Sequence, residues 1–256
     1  MTPPMLTSRL LSLPGIAHGF FGRAGGISEG GFTSLNTGPG SNDNALAVAE
    51  NRRRCASVFN IEPDHLLTAY QTHSPDVLIV DQPWQGDMAK VDALVTATPG
   101  LAVGVLAADC MPWLLADPHA KVVAAAHAGW RGALGGVLEN TIDAMRSLGA
   151  RPERIHASLG PCMRQPNFEV GLDLVSAFTE RYPHASLFFS PGINDEKRQF
   201  DLAGFGAWRL RESGVDILDD IDRCTLGEAD NFFSYRASLR NNQADYGRNL
   251  STIIIL

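Results

Sequence analysis

Two stretches near the middle of the chain, LAVGVLAADC (101–110) and KVVAAAH (121–127), are apolar almost without a break. A strand with one wet face alternates apolar and polar side chains, whereas a continuous run belongs to a strand covered on both faces. The chain must therefore bury a sheet between two layers, and its 256 residues are enough to do so. Each run also ends on side chains that a buried strand does not need. The first closes on Asp109 and Cys110; the second closes on His127 and then turns through Ala-Gly-Trp-Arg-Gly. Strand ends in α/β sheets are where ligands bind.

Strands and helices alternate along the rest of the chain. DVLIV (76–80) reads as a short strand, MPWLLADP as a strand returning beside 101–110, and RIHASLG (154–160) and the terminal STIIIL as further strands. SNDNALAVAENRRRCASVFN reads as a helix with Asn/Asp capping residues ahead of it. Residues 133–148 read as a helix stopped by Gly149, which gives one β–α–β unit with the strands on either side. VGLDLVSAFTERY and LAGFGAWRLRES are two more helices, the second capped by Asp201. Hairpins are too frequent for a doubly wound sheet, so the expected class is α/β with a mixed sheet flanked by helices. No repeat, low-complexity tract or linker-like run divides residues 1–256, which predicts one domain.

The net charge of −7 argues against a general nucleic-acid-binding surface, which needs a basic face. No stretch is long and apolar enough to span a membrane, and Pro14 and Gly15 interrupt the apolar N-terminal stretch, which lacks the basic start of a signal peptide. Cys55, Cys110, Cys162 and Cys224 are scattered, with no C-x-x-C pair. The expectation is a cytoplasmic protein with reduced thiols, acting as a monomer on small molecules, with neither nucleic acid nor membrane as partner.

Three segments carry chemistry to strand ends: YQTHSPDV with His73, AADCMPW with Asp109 and Cys110, and AAHAGWRG with His127, Trp130 and Arg131. Cys110 and His127 reach one sheet edge if their strands neighbour each other in parallel. His73, Cys110 and His127 then make a His₂Cys set, and three protein ligands with one open position are the pattern of a catalytic zinc. No local spacing rule links residues so far apart, and a small buried Cys beside two hydrogen-bonded histidines is the structural alternative. Arg131 adds charge where the free N–H groups of a helix start favour an anion. Trp130 is expected in the core. Arg52, Arg53 and Arg54 are consecutive on a helix, so at most one or two face a site. Arg236 and Arg248 are further candidates for a phosphate or carboxylate. Asp109 either orients a ligand, shuttles a proton, or makes a structural hydrogen bond to its turn. Cys55, Cys162, Cys224, His18, His65, His119, His156 and His184 have no expected role.

The motifs QTHSPDV, AADCMPWLLADP, AAHAGWRGALGGVLENTI, LGPCMRQPNFEVG and RCTLGEADNFFSYRA, in this order, resemble the bacterial laccase-domain family. That family is also called multicopper polyphenol oxidase-like or purine nucleoside phosphorylase-like. GFFGRAGGISEGGFTSLNTG and AENRRR resemble its opening, so the likeness runs from near residue 18 to the end. The resemblance implies a single α/β domain similar to the toxin deamidases, with zinc at His73, Cys110 and His127 and copper as the alternative metal. It implies phosphorolysis of adenosine, inosine, guanosine or methylthioadenosine to base and sugar 1-phosphate, with adenosine deamination as a further activity. The family's E-N-R arginine falls on Arg52, which is thereby implied as a catalytic and phosphate-binding group. Arg131 and Arg236 are its expected companions in substrate binding, and Asp109 and Cys110 the other expected catalytic residues. Where the family carries Gly after its first zinc histidine, this chain has Ser74.

Two other chemistries compete. A multicopper oxidase needs many paired imidazoles, and the seven histidines contain no H-x-H pair; a lone His₂Cys site would still take copper, which outcompetes zinc for such ligands. Alternatively, Cys110 and His127 form a nucleophile and base that hydrolyse an amide, and the resemblance implies a peptidoglycan precursor as the substrate. His73 separates the two, because a metal needs it as third ligand and a dyad does not.

Overall fold

The structure, a computed structural model, describes residues 2–256. The chain opens with β1 (Met5–Leu6), β2 (Ile16–Phe21) and α1 (Ala45–Val58). Six strands follow: β3 (Leu66–Leu67), β4 (Val77–Ile79), β5 (Ala93–Thr96), β6 (Ala102–Ala107), β7 (Met111–Asp117) and β8 (Val122–Ala128). Helices α2 (Trp130–Gly135) and α3 (Val137–Ser147) lead into β9 (His156–Leu159). The last part carries β10 (Glu169–Gly171), α4 (Leu172–Arg181), β11 (Phe189–Pro191), β12 (Lys197–Phe200) and α5 (Leu202–Glu212). It ends with β13 (Ile217–Asp220), α6 (Tyr235–Arg240) and β14 (Asn249–Ile255).

The strands form two large mixed sheets and one small one. Their orders are β1–β2–β14–β6–β3, β13–β9–β7–β8–β5–β4 and β10–β12–β11. The class expected from the sequence, mixed α/β with flanking helices, holds. The two apolar runs, however, lie in different sheets, β6 in the first and β8 in the second. Each gains its double cover because the sheets stack. Phe20, Val103, Val105, Ile253 and Ile255 of the first sheet pack on Leu94, Leu114, Ala116, Val123 and Ala125 of the second. On the far side of the first sheet, Leu250 and Ile254 meet Cys55 and Ala56 of α1. On the far side of the second, Trp113, Ala124 and Ala126 meet Val137, Leu138 and Ile142 of α3 and Phe205 of α5. The order is helix, sheet, sheet, helix. The alanines of β8 suit a strand pressed from both sides, since small side chains let both layers approach.

Several local expectations need correction. The parallel pairing of 101–110 with 121–127 expected to align Cys110 and His127 does not form, nor does the strand at 111–118 return beside 101–110: β6 lies in the first sheet, while β7 and β8 pair in the second as an antiparallel hairpin with Pro112 opposite His127. The short link at 118–121 suits a hairpin, since a parallel partner needs a long crossover. Cys110 lies in the turn that takes the chain from β6 in the first sheet to β7 in the second. The helix expected at 133–148 is two helices, α2 and α3, broken at Gly136 with φ +100°, a conformation that glycine takes without strain. Val170 and Gly171 belong to β10 rather than to the helix after it. The expected caps hold: Asn44 accepts from the N–H groups of Leu46 and Ala47, and Asp201 from that of Gly204.

Candidate metal centre

His73, Cys110 and His127 converge. One ligand atom from each lies within 4.8 Å of the others. The Cys110 Sγ is 3.8 Å from His73 Nε2, and the two imidazoles meet edge to face with centroids 4.9 Å apart. With metal–nitrogen bonds of about 2.0 Å and metal–sulfur bonds of about 2.3 Å, such spacings suit ligands around a common ion. The burial is graded, with His127 buried, Cys110 intermediate and His73 exposed.

Each ligand is held by a different local device. His127 is the penultimate residue of β8, so the sheet fixes its backbone. Cys110 follows Asp109, a non-glycine residue at φ +93°. That conformation is kept because the Asp109 carboxylate accepts from Thr225 Oγ1 at 2.6 Å and from the Arg236 backbone N–H at 2.7 Å. His73 also has a positive φ, +61°, a region that His visits more readily than most side chains. Its loop is wrapped around a fully buried carboxylate, Asp92. Asp92 accepts from the backbone N–H groups of Thr72 (3.1 Å), His73 (3.0 Å) and Ser74 (2.7 Å). The Ser74 hydroxyl adds a bond of 3.1 Å to the same carboxylate.

Asp92 also receives the Nδ1–H of His127 at 2.8 Å. That bond directs the other ring nitrogen, Nε2, toward Cys110 and His73, in the carboxylate–histidine arrangement that orients metal ligands. Gly129 completes the cradle. A Cβ there would stand 2.7 Å from the His73 ring and 3.0 Å from the Cys110 sulfur. The donor set, the orienting carboxylate and the close glycine all fit a bound metal ion.

The electrostatics agree. Burial pushes the Cys110 thiol up, but His127 and His73 outweigh it and bring the pKa down to about 6. Burial alone would lower the His127 pKa; the Cys110 sulfur and Asp92 raise it to about 9. Burial likewise raises the Asp92 pKa, and His127 with the N–H groups of Ser74 and Thr72 brings it below the usual carboxylate range. Without metal, the sulfur is therefore an anion beside an imidazolium. A metal ion held here would displace the imidazole proton and take the sulfur as a thiolate.

The centre opens into a cavity of about 760 Å³ lined by all three residues, within the usual range for small-molecule sites. Arg131, Arg236 and Arg248 line it as well. Arg131 is exposed, its guanidinium 4.3 Å from the Trp130 ring centroid. Trp130, expected in the core, packs against the core on one side and lines the cavity on the other. Arg248 donates to the Tyr246 carbonyl and to Asp245.

Arg52 lies elsewhere. It donates to the carbonyl oxygens of Thr37 (3.4 Å) and Leu66 (2.9 Å) and lines a smaller cleft of about 320 Å³. Pro39 belongs to both hollows, so Arg52 braces the loop that separates them. Asp109 borders the main cavity, but both of its carboxylate oxygens already accept hydrogen bonds from the protein. The sequence reading missed Asp92. The available signal was KVDALVT, where a lone carboxylate enters a fully buried strand and so needs partners. It missed Gln71 too, whose amide donates to and accepts from the backbone of Leu106 (2.7 and 2.8 Å), pinning the His73 loop to β6.

Similar proteins share this architecture. The family described as multi-copper polyphenol oxidoreductase laccase matches residues 17–256. A Deinococcus radiodurans protein named purine nucleoside phosphorylase is 42% identical, over 92% of this chain and 89% of its own length. A Corynebacterium glutamicum protein of the same name is 37% identical over 85% and 87%. A Neisseria meningitidis crystal structure superposes with a TM-score of 0.88 at 35% identity, covering 98% of both chains. No helix among the described residues is long and apolar enough to cross a membrane. With nearly its whole length matched, the chain belongs to the multi-copper polyphenol oxidoreductase laccase family.

Proposed function

We propose that this protein is a zinc-dependent purine nucleoside phosphorylase. The observation that carries the reading is the convergence of His73, Cys110 and His127 on a cavity edged by arginines. The name of the Deinococcus radiodurans relative supports it. In the reaction, the bond between the sugar's anomeric carbon and the purine nitrogen breaks, and a bond from that carbon to a phosphate oxygen forms. Adenosine, inosine, guanosine and methylthioadenosine are the expected substrates.

Arg131 and Arg236 are the proposed phosphate-binding groups: neither guanidinium forms an ion pair among the described residues, and both residues line the cavity. Holding the dianion beside the sugar turns a two-body encounter into a positioned one, and the charge of the arginines favours it there. His73, Cys110 and His127 would hold the zinc, which would supply a Lewis-acid position at neutral pH. Asp92 keeps His127 in the tautomer that offers Nε2. Asp109 acts through structure, fixing the Cys110 turn and the start of α6. Arg52 braces the Thr37–Gly40 wall. The same donor set suits deamination of adenosine, a reaction other zinc sites of His and Cys ligands perform.

The test is incubation of the pure protein with a nucleoside panel, with and without phosphate, followed by product separation. Free base with sugar 1-phosphate, formed only when phosphate is present, is the expected result. Base release independent of phosphate, or none, overturns the reading. Inosine formed from adenosine without phosphate would mark the deaminase.

One observation favours a second chemistry: the Cys110 thiolate, His127 and Asp92 also form the chain of a cysteine hydrolase. Chelator inhibition reversed by zinc supports the metal. Amide hydrolysis by metal-free protein, lost on thiol alkylation, supports the nucleophile.

A further inference from the structure

Two tyrosines of the cavity wall have no part in phosphate or metal binding. Tyr235 opens α6 and Tyr246 lies in the turn before β14. Their rings approach with centroids 5.0 Å apart and planes tilted by 52°, and both line the cavity. Tyr235 is 45% exposed. Behind Tyr246, the Arg248 guanidinium lies 4.4 Å from the ring centroid. The pair therefore forms a corner with one ring backed by a cation and the other open.

The corner is tied to the metal centre. The residue after Tyr235 is Arg236, whose backbone N–H holds the Asp109 carboxylate, and the residue after Asp109 is Cys110. A ligand on the corner thus sits beside the turn that carries the sulfur. Burial raises the Tyr246 phenol above its ordinary value, against the pull of Arg248, so the ring stays neutral.

A tilted aromatic pair discriminates among the parts of a nucleoside. Phosphate and sugar have no π face, and the arginines already serve the anion. A planar heterocycle gains from stacking on an aromatic ring, whatever its hydrogen-bonding edge. We propose that Tyr235 and Tyr246 form the base subsite and select substrates carrying a planar heteroaromatic ring. This rests on the phosphorylase reading and assigns its specificity-determining residues.

The experiment titrates hypoxanthine and, separately, ribose 1-phosphate into the full-length protein by calorimetry. Tyr235→Leu and Tyr246→Leu keep apolar bulk and remove the ring. Each is expected to weaken hypoxanthine about tenfold while ribose 1-phosphate is held as before, which also reports an intact fold. Tyr246→Phe, which restores the ring, is expected to recover most of that loss. Unchanged hypoxanthine binding in both Leu variants overturns the proposal, as does no binding by the wild type. A Tyr246→Phe loss equal to that of Tyr246→Leu also overturns it, by moving the effect to the hydroxyl. Hypoxanthine bound through the corner in a protein that splits no nucleoside would keep the subsite and remove phosphorolysis. Phosphorolysis with an unchanged KM for inosine in the Leu variants would remove the subsite alone.

Discussion

The metal centre and the aromatic cluster around Phe178 are built by opposite means. Phe178 is fully buried, with Phe200 and Phe205 meeting it edge to face at 4.7 and 4.9 Å. Phe189 stacks on Phe200 at 4.4 Å. This cluster joins α4, α5 and the small third sheet through area and shape alone, and none of these rings has a polar atom to satisfy. The His73–Cys110–His127 centre offers little apolar area and instead uses oriented hydrogen bonds, two residues at positive φ and a glycine in close contact. Stability and function therefore draw on different forces. The cluster holds α4, α5 and the third sheet together, and the centre is one strand end and two turns held in shape by the carboxylates of Asp92 and Asp109.

Damage to each region should move one property and leave the other. Cys110→Ala is expected to abolish metal retention on dialysis and to leave the metal-free protein within about 1 kcal/mol of wild type, because the residue is small and borders a cavity. Phe178→Ala is expected to lower stability by about 3–5 kcal/mol, with the metal content of the folded fraction unchanged. Metal analysis and denaturant unfolding on the same samples decide it. A Cys110→Ala protein that retains zinc, or a Phe178→Ala protein that folds without it, would show that the two regions are not separable.

The sequence exposed the centre more clearly than its scaffold, for reasons visible in particular residues. Cys110 and His127 stand out because an apolar strand offers no reason for them at its end. His73 is recognisable only in its motif, since an exposed histidine in a polar loop is ordinary. Asp92 was hidden because its role depends on a loop 20 residues earlier and a strand 35 residues later folding onto it. Arg52 was assigned from its motif: three arginines in a row show a charge run but not which carbonyl oxygens each will meet, and Arg52 meets those of Thr37 and Leu66. Both apolar runs were recognised as strands, yet their division between two sheets was not, because stacking satisfies the same double burial as a single covered sheet. Trp130 was assigned to the core from composition, and an indole is large enough to serve core and cavity at once.

A smaller effect tests how far the centre depends on its orienting carboxylate. Asp92 gathers the Thr72, His73 and Ser74 N–H groups, the Ser74 hydroxyl and the His127 ring. Asp92→Asn keeps the volume but turns one acceptor into a donor facing other donors. Loss of such a partner costs metal affinity about 10–100-fold, and the crowding of donors places the expected value at the upper end. Competition with a chromophoric chelator measures it. An affinity equal to wild type would mean that the ligands are held by the strands alone, and the contrast with the Phe178 cluster would lose its basis.

The smallest effect concerns Ser74, the residue after His73. Its hydroxyl donates to Asp92 at 3.1 Å while accepting from the Asp76 N–H at 3.1 Å. Both bonds stiffen the loop behind His73 without touching the ligand atoms. Ser74→Gly removes them and adds backbone freedom, a combined change of about 1 kcal/mol. Zinc affinity is therefore expected to fall about fivefold, with the metal stoichiometry and the phosphate requirement unaltered. Hydrogen exchange at the Thr72–Ser74 amides should quicken in the metal-free variant, because these are the groups Asp92 holds. Exchange and affinity both equal to wild type would show that the backbone donors alone set the loop. The serine would then be neutral, and the rigidity of the centre would rest on Asp92 and Gly129.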